Sequence, residues 1–296
     1  MKPLACLVLL AALPLASQIR VDVRLVRVLA SVKDEAGALV GGLEKSQFRL
    51  FDSGVEQEIA VFERSTALPL SVAVLIDASG STAISLTQEV GSVRTFLRSL
   101  LKDGNQDDAA SLYAFNYETV QLAPFTRRQD RLENALKRLK GEAGTSLYDA
   151  IHFAAHDLES RDGRKVIVIV TDGGDTTSSY SFRDALQAAH RAEAVIYPIV
   201  VKPISSDAGR NVGGENALTS LAQGTGGRVW EASLGESLDQ AFSTILAELR
   251  TQYLLTYYPK NLPSPSPAFH PLRVQVEAPQ RRLQVSSRSG YYSGAR

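Results

Sequence analysis

The region from residue 67 to residue 249 alternates short apolar runs with longer segments in which apolar residues recur at every third or fourth position. Short apolar runs bounded by turn residues are typical of buried strands, and the longer periodicity is typical of helices. Alternation of the two predicts a mainly parallel sheet covered by helices on both faces. We therefore expect a doubly wound α/β domain with six strands near Val72–Ile76, Ser111–Phe115, Thr119–Leu122, Val166–Val170, Val195–Val201 and Arg228–Trp230, the third of them an antiparallel edge.

The segments on either side of this region have the alternating pattern of half-buried strands. Together they hold roughly six or seven short strand candidates, and neither flank alone has enough strands for a stable sheet sandwich. We therefore predict one small immunoglobulin-like β-sandwich that is interrupted by the α/β domain. The expected units are a leader over 1–17, sandwich parts over 18–66 and 250–296, and the α/β domain over 67–249.

The first residues indicate export. Lys2 precedes an apolar run, Leu4–Ala16, that is too short to span a membrane, which is typical of a cleaved signal peptide. An uncleaved membrane anchor is one alternative to a cleaved signal peptide. A lipoprotein is another, and only Cys6 suggests it. Since Cys6 is the one cysteine of the chain, the mature protein has no disulfide. We expect a periplasmic or secreted protein without a transmembrane segment in its mature chain.

The charge of the chain gives no sign of a nucleic-acid partner. The 32 basic and 32 acidic residues balance to a formal net charge of zero, and no long basic run or basic and aromatic stripe occurs. Proteins that bind nucleic acids need such a basic surface to neutralise phosphates. We therefore expect a partner of another kind.

Polar residues follow two of the predicted strands. Asp77, Ser79 and Ser81 occupy alternate positions of the turn after the first strand, and Asp172 ends a later strand. Thr145 stands before a predicted helix. Ligands of open α/β sheets collect outside the carboxyl ends of the strands, where the strand order reverses. Carboxylate and hydroxyl oxygens are hard ligands that suit Mg²⁺, Mn²⁺ or Ca²⁺ rather than Zn²⁺.

These five positions resemble the metal-ion-dependent adhesion site of the von Willebrand factor type A domain. That site is written Asp-x-Ser-x-Ser, then a Thr, then an Asp after an apolar strand, and all five residues match in order. The resemblance implies that Ser79, Ser81 and Thr145 bind the metal directly, with Asp77 and Asp172 often acting through water. It also implies a protein that is not an enzyme, and whose bound Mg²⁺ captures an Asp or Glu of a partner protein. The flanking stretches Ser46–Gly54 and Gln252–Pro259 resemble an exported bacterial subfamily.

Other interpretations of the same residues stay open. A single Asp after a strand is more often a turn former, and Thr145 alone is a candidate helix cap. A metal-assisted hydrolase is a second function, although Phe153 stands between His152 and His156 where a zinc protease motif has Glu. A component of an envelope assembly with a stabilising metal is a third. The polar loop Asp175–Thr177 is either a rim that selects the partner or a solvated loop.

Overall fold

The computed structural model of the chain describes residues 25–64, 67–82, 85–102, 104–201, 211–263, 268–278 and 281–293. The predicted signal peptide and the strand-like stretch from Ile19 to Arg24 lie outside the described residues. No helix of the described ranges is long and apolar enough to cross a bilayer. Export therefore stays a prediction from the sequence.

The described residues include fourteen strands and six α-helices. The strands are β1 (Val26–Asp34), β2 (Phe48–Asp52), β3 (Val55–Gln57), β4 (Ile59–Glu63), β5 (Leu70–Asp77), β6 (Ala109–Phe115), β7 (Thr119–Thr126), β8 (Arg164–Thr171), β9 (Ala194–Val201), β10 (Trp230–Ala232), β11 (Tyr253–Tyr257), β12 (Phe269–Val276), β13 (Leu283–Ser287) and β14 (Gly290–Tyr292). The helices are α1 (Leu86–Lys102), α2 (Gln129–Leu136), α3 (Leu147–Glu159), α4 (Phe182–Ala192), α5 (Val212–Thr225) and α6 (Glu236–Thr251).

Six of the strands form the central sheet, in the order β10-β9-β8-β5-β6-β7. All neighbouring pairs are parallel except β6 with the edge strand β7. The register places Val74 of β5 between Leu112 of β6 and Val168 of β8. Every residue of β5 and β8 is buried, as expected for strands that are covered on both faces. The predicted doubly wound, mainly parallel sheet is confirmed.

Helices cover both faces of the central sheet. One face packs against α1, α2 and α6 around Phe96 and Phe242, whose ring centroids lie 4.7 Å apart. The other face packs against α3, α4 and α5, where alanines such as Ala154 and Ala189 allow a close approach. The helical spacing of the large apolar residues in α1 and α6 agrees with this burial, because that stripe of each helix packs against the sheet.

Several boundaries differ from the sequence prediction; for example, β7 continues to Thr126 rather than ending at Leu122. The last strand of the sheet begins at Trp230, two residues later than expected, and pairs with Ile199 of β9. The guanidinium of Arg228 lies 3.6 Å from the centroid of the Trp230 ring, a cation–π contact in the segment that leads into this strand. Helix α2 ends at Leu136, so Leu139 packs against the core from the segment that follows the helix.

The flanks form two antiparallel sheets of four strands each, in the orders β13-β1-β11-β4 and β14-β12-β2-β3. Each sheet draws strands from both ends of the chain, since Val28 of β1 pairs with Leu255 of β11 and Leu50 of β2 pairs with Val274 of β12. Their apolar faces share one core. The predicted β-sandwich around an inserted α/β domain is confirmed, with eight strands where six or seven were expected. The unit boundaries after residues 17, 66 and 249 stay predictions.

A buried polar cluster connects the sandwich to the α/β domain. Lys33 of β1 donates to Glu248 of α6, which also accepts a hydrogen bond of 3.1 Å from the hydroxyl of Tyr197 in β9. Arg228 Nε lies 3.3 Å from the same carboxylate. A buried charge is stable only when it is paired, so this cluster holds the two units in one arrangement.

Candidate metal site

Strand β5 lies between β6 and β8 and marks the point where the strand order of the central sheet reverses. The chain leaves β5 toward β6 on one side and reaches β8 on the other. The connections at the carboxyl ends of β5 and β8 therefore separate and leave a crevice between them. Asp77 is the last residue of β5, and Asp172 directly follows β8.

The turn after β5 is held by hydrogen bonds to Asp77. The Asp77 side chain is fully buried, and its Oδ1 accepts a hydrogen bond of 2.9 Å from the backbone N–H of Ser79. Its Oδ2 accepts one of 2.6 Å from the hydroxyl of Thr171 at the end of β8. Thr82 Oγ1 donates to the Asp77 and Ser79 carbonyls at 3.0 Å each. These contacts fix the turn before any ligand binds.

The two motif serines face each other across this turn. The Oγ atoms of Ser79 and Ser81 lie 3.0 Å apart, and the Ser79 side chain is buried whereas Ser81 is exposed. The alternate spacing of the two residues thus turns both hydroxyls to one side of the loop. Two hydroxyl oxygens at this separation can serve one cation together.

The loop before α3 brings Thr145 to the same end of the sheet. The backbone N–H of Glu142 donates to the Ala78 carbonyl at 2.9 Å, which ties this loop to the turn after Asp77. Gly144 has a φ of +89°, a left-handed conformation that lets the chain pass the backbone of Tyr117 closely. Thr145 follows directly and is almost fully buried.

Thr145 is not the cap of the helix that it precedes. Helix α3 begins at Leu147, and its first N–H groups are bound by Asp175 Oδ1, which lies 3.2 Å from Tyr148 N, and by Ser178 Oγ, which lies 3.1 Å from Asp149 N. The Thr145 hydroxyl makes no hydrogen bond with any described residue. The capping interpretation of Thr145 is therefore wrong, because the loop after β8 supplies the cap and leaves this hydroxyl available.

The loop that follows Asp172 clamps Thr145 in place. Thr176 Oγ1 accepts a hydrogen bond of 2.9 Å from Thr145 N, and Thr176 N donates to the Thr145 carbonyl at the same distance. Asp175 caps α3 as described above. The polar loop that the sequence presented as a rim or as a solvated loop is a structural element that positions a candidate ligand.

The electrostatics of the site are acidic. Burial raises the pKa of the Asp77 carboxyl, and the nearby charge of Asp172 raises it further, against the hydrogen bonds from Thr171 and Ser79. Asp172 is partly exposed, and no described residue donates a hydrogen bond to its carboxylate. Among the described residues, no basic side chain is a cause of the shift at Asp77. A bound cation would offset both charges.

Sequence reasoning missed a third acidic residue of this region, Glu89 in the first turn of α1. Only 1% of Glu89 is exposed, and burial raises its pKa to about 7, with further contributions from the charges of Asp77 and Asp172. The signal was present in the sequence, because Glu89 stands four residues before Val93 and seven before Phe96 on the buried stripe of α1. An acidic residue at such a position requires a partner.

The donor set fits a hard divalent cation. Two carboxylates and three hydroxyls are available, and these oxygen donors suit Mg²⁺, Mn²⁺ or Ca²⁺. Within the described residues, no three His, Cys, Asp or Glu side chains come together as a metal cluster. A cation at this edge would therefore depend on the hydroxyls of Ser79, Ser81 and Thr145 to complete its protein ligands.

Comparisons with known proteins agree on the fold. Residues 71–244, more than half of the chain, match the von Willebrand factor type A domain. The von Willebrand domain of the type V pili tip protein Mfa5 from Porphyromonas gingivalis superposes with a TM-score of 0.51 and 15% identity, over 62% of this chain and 97% of that one. Proximal thread matrix protein 1 from the mussel byssus superposes with a TM-score of 0.51 and 14% identity, over 67% of this chain and 51% of that one.

No curated protein matches the sequence significantly. The identities to the two solved structures are low, so these structures show the fold alone. The match over residues 71–244 covers the strands, the turn after Asp77 and the loops that carry Thr145 and Asp172. The chain therefore belongs to the von Willebrand factor type A domain family.

Proposed function

We propose that the protein is an exported, metal-dependent binding module that captures an acidic residue of a partner protein. The observation that carries the proposal is the group of side-chain oxygens at the switch point of the sheet. Within the described residues, no basic side chain pairs with Asp77 or Asp172, and the Thr145 hydroxyl makes no hydrogen bond because the loop after β8 caps α3. Mg²⁺ is the ion we assign first, with Mn²⁺ or Ca²⁺ as alternatives.

The residues of the site have distinct roles in this proposal. Ser79, Ser81 and Thr145 bind the ion through their hydroxyls, while Asp77 and Asp172 balance its charge, directly or through water. The ion supplies an electrophilic position that an external carboxylate can occupy. Hydroxyls are weak donors, so the ion keeps a strong attraction for a further anionic oxygen. The partner therefore presents an Asp or a Glu.

The names of two structures with the same fold agree with a binding role. One is a pilus tip protein and the other is a thread matrix protein. We infer export from the predicted signal peptide over 1–17. An exported protein would lie in the periplasm or outside the cell. The charge balance of the chain gives no reason to propose nucleic acid as the partner.

We propose a protein that is not an enzyme. Hydrolysis at a metal needs a general base that reaches the substrate. Glu89 has a suitable pKa, but its free oxygen is closed off from solvent inside the protein. His152 stacks on Tyr180 with 3.7 Å between ring centroids and lies on the surface of α3, not in a pocket at the site. A hydrolase is therefore the weaker function.

The test is partner capture from an envelope extract with Mg²⁺ and with a chelator, followed by substitution of the acidic residues of the captured protein. The proposal predicts that chelation releases the partner while circular dichroism shows an unchanged fold. Thr145→Ala weakens capture, because it removes a ligand without changing the charge. A complex that persists in chelator, or that survives the loss of every interfacial acid of the partner, contradicts the proposal and favours a purely structural assembly role.

A further inference from the structure

Glu89 has one bound and one unbound carboxylate oxygen. Oε1 accepts a hydrogen bond of 2.6 Å from the hydroxyl of Ser85, in the turn that connects Asp77 to α1. Oε2 is buried and has no hydrogen-bond partner. A buried carboxylate oxygen without a partner costs on the order of several kcal/mol when it is ionised.

The charges that act on Glu89 come from the candidate metal site. Among the described residues, Asp77 and Asp172 raise the pKa of Glu89, and no basic side chain lowers it. The turn after β5 connects Glu89 to Asp77, because the backbone N–H of Ser85 donates to the Thr82 carbonyl at 3.0 Å and Thr82 Oγ1 donates to the Asp77 carbonyl at 3.0 Å. A divalent ion at the site would offset the negative charges that act on Glu89.

Direct coordination by Glu89 does not fit the geometry. The described residues contain no group of three acidic side chains that converge on one point, so Glu89 does not join Asp77 and Asp172 as a third carboxylate ligand. Glu89 reaches the turn between Asp77 and α1 from the side of the helix, through Ser85. Its second oxygen, Oε2, is buried and has no hydrogen-bond partner, so it can accept a hydrogen bond from a water molecule that the cation holds.

We propose that Glu89 is a positioning residue of the metal site, whose free oxygen accepts a hydrogen bond from a water molecule bound to the divalent cation. Such a contact orients the water and increases the hold of the protein on the ion. The inference rests on the proposed metal binding. It adds a residue that the five-residue motif does not contain, and it explains why an acid occupies the buried stripe of α1.

Calorimetric titration of the full chain with Mg²⁺ tests this inference. The variants are Glu89→Gln and, as a matched control, Glu159→Gln at the exposed far end of α3. Glu89→Gln removes the acceptor charge but keeps the size of the side chain and the contact with Ser85. We expect it to weaken Mg²⁺ binding by roughly 10- to 100-fold, the usual effect of losing such an outer contact, and the control to bind like the wild type.

The outcomes separate the inference from the proposed function. If the wild type binds Mg²⁺, Asp77→Asn does not, and Glu89→Gln binds as tightly as the wild type, then the inference is wrong and the metal site stands. If the wild type itself binds no divalent ion, both fail. Glu89→Asp is the second variant for the case that Glu89→Gln does not fold. It keeps the charge but shortens the side chain, so we expect weaker binding here too, and unchanged affinity would overturn the inference.

Discussion

Replacement of Glu89 by glutamine reduces the pH dependence of stability of the metal-free protein. In the folded protein the pKa of Glu89 is about 7, whereas its ordinary value is 4.5. The folded state therefore holds this proton more tightly than the unfolded state. The free energy of unfolding falls as the pH rises from about 4.5 to about 7, and it is constant above that range. Glutamine does not titrate, so the variant lacks this loss.

The magnitude follows from the two pKa values. The full loss is about 3 kcal/mol, and roughly 2.5 kcal/mol of it falls between pH 5 and pH 8. The amide of glutamine carries its own cost, because its N–H groups replace the unpartnered Oε2, but this cost is the same at every pH. The change with pH in the difference between the two free energies of unfolding therefore depends only on the titration of Glu89. The constant cost of the amide does not affect it.

Urea unfolding in the presence of a chelator measures this difference. We expect the stability of Glu89→Gln relative to the wild type to rise by about 2 to 3 kcal/mol from pH 5 to pH 8. Glu159→Gln serves as the control, because Glu159 is exposed and its substitution leaves the wild-type profile unchanged. Parallel curves for the wild type and Glu89→Gln over this range would refute the reasoning about the buried carboxylate.

Three further predictions concern the loop of Thr145 and the connection between the flanks. Gly144→Ala lowers stability by about 2 kcal/mol and weakens Mg²⁺ binding, because its Cβ would lie 2.8 Å from Tyr117 Cα at a left-handed φ; Gly42→Ala, in open space, is the control for urea unfolding and calorimetry. Glu248→Ala leaves Lys33 buried without its partner and costs about 3 to 5 kcal/mol on urea unfolding; unchanged stability would show that the pair is dispensable. Deletion of residues 253–296 removes both strands that pair with β1, so limited proteolysis should cut between residues 26 and 63; equal protection in the full chain and the truncated chain would count against a shared sandwich.

The sequence predicted the central sheet because its signals are local. Strands such as β5 and β8 are continuous apolar runs, and α1 and α6 repeat leucines at helical spacing. The prediction of the strands in the flanks was less complete, because β3 and β14 have three residues each and are too short for a periodic pattern. The start of β10 differs because the strand begins where Trp230 pairs with Ile199 of β9, a long-range contact that the local pattern does not specify.

The five candidate ligands came from the sequence, but their supporting residues did not. Thr171 and Thr176 act through hydrogen bonds to Asp77 and Thr145, which are distant in the chain and become neighbours only in the fold. Glu89 differs from these two threonines, because an acidic residue on the apolar stripe of a helix can be recognised in the sequence. Whether that acid pairs with a base or faces other acids depends on the neighbouring strands, and only the structure gives this.

Calorimetric titration of the full chain with Mg²⁺, for the wild type and for Asp77→Ala, tests the central claim most directly. The account predicts one divalent ion per chain in the wild type, no binding in the variant, and the same circular dichroism spectrum for both proteins, because the Asp77 side chain holds the turn after β5 and takes no part in the backbone pairing of the sheet. Equal affinity in the two proteins, or no binding of any divalent ion by the wild type, would contradict it.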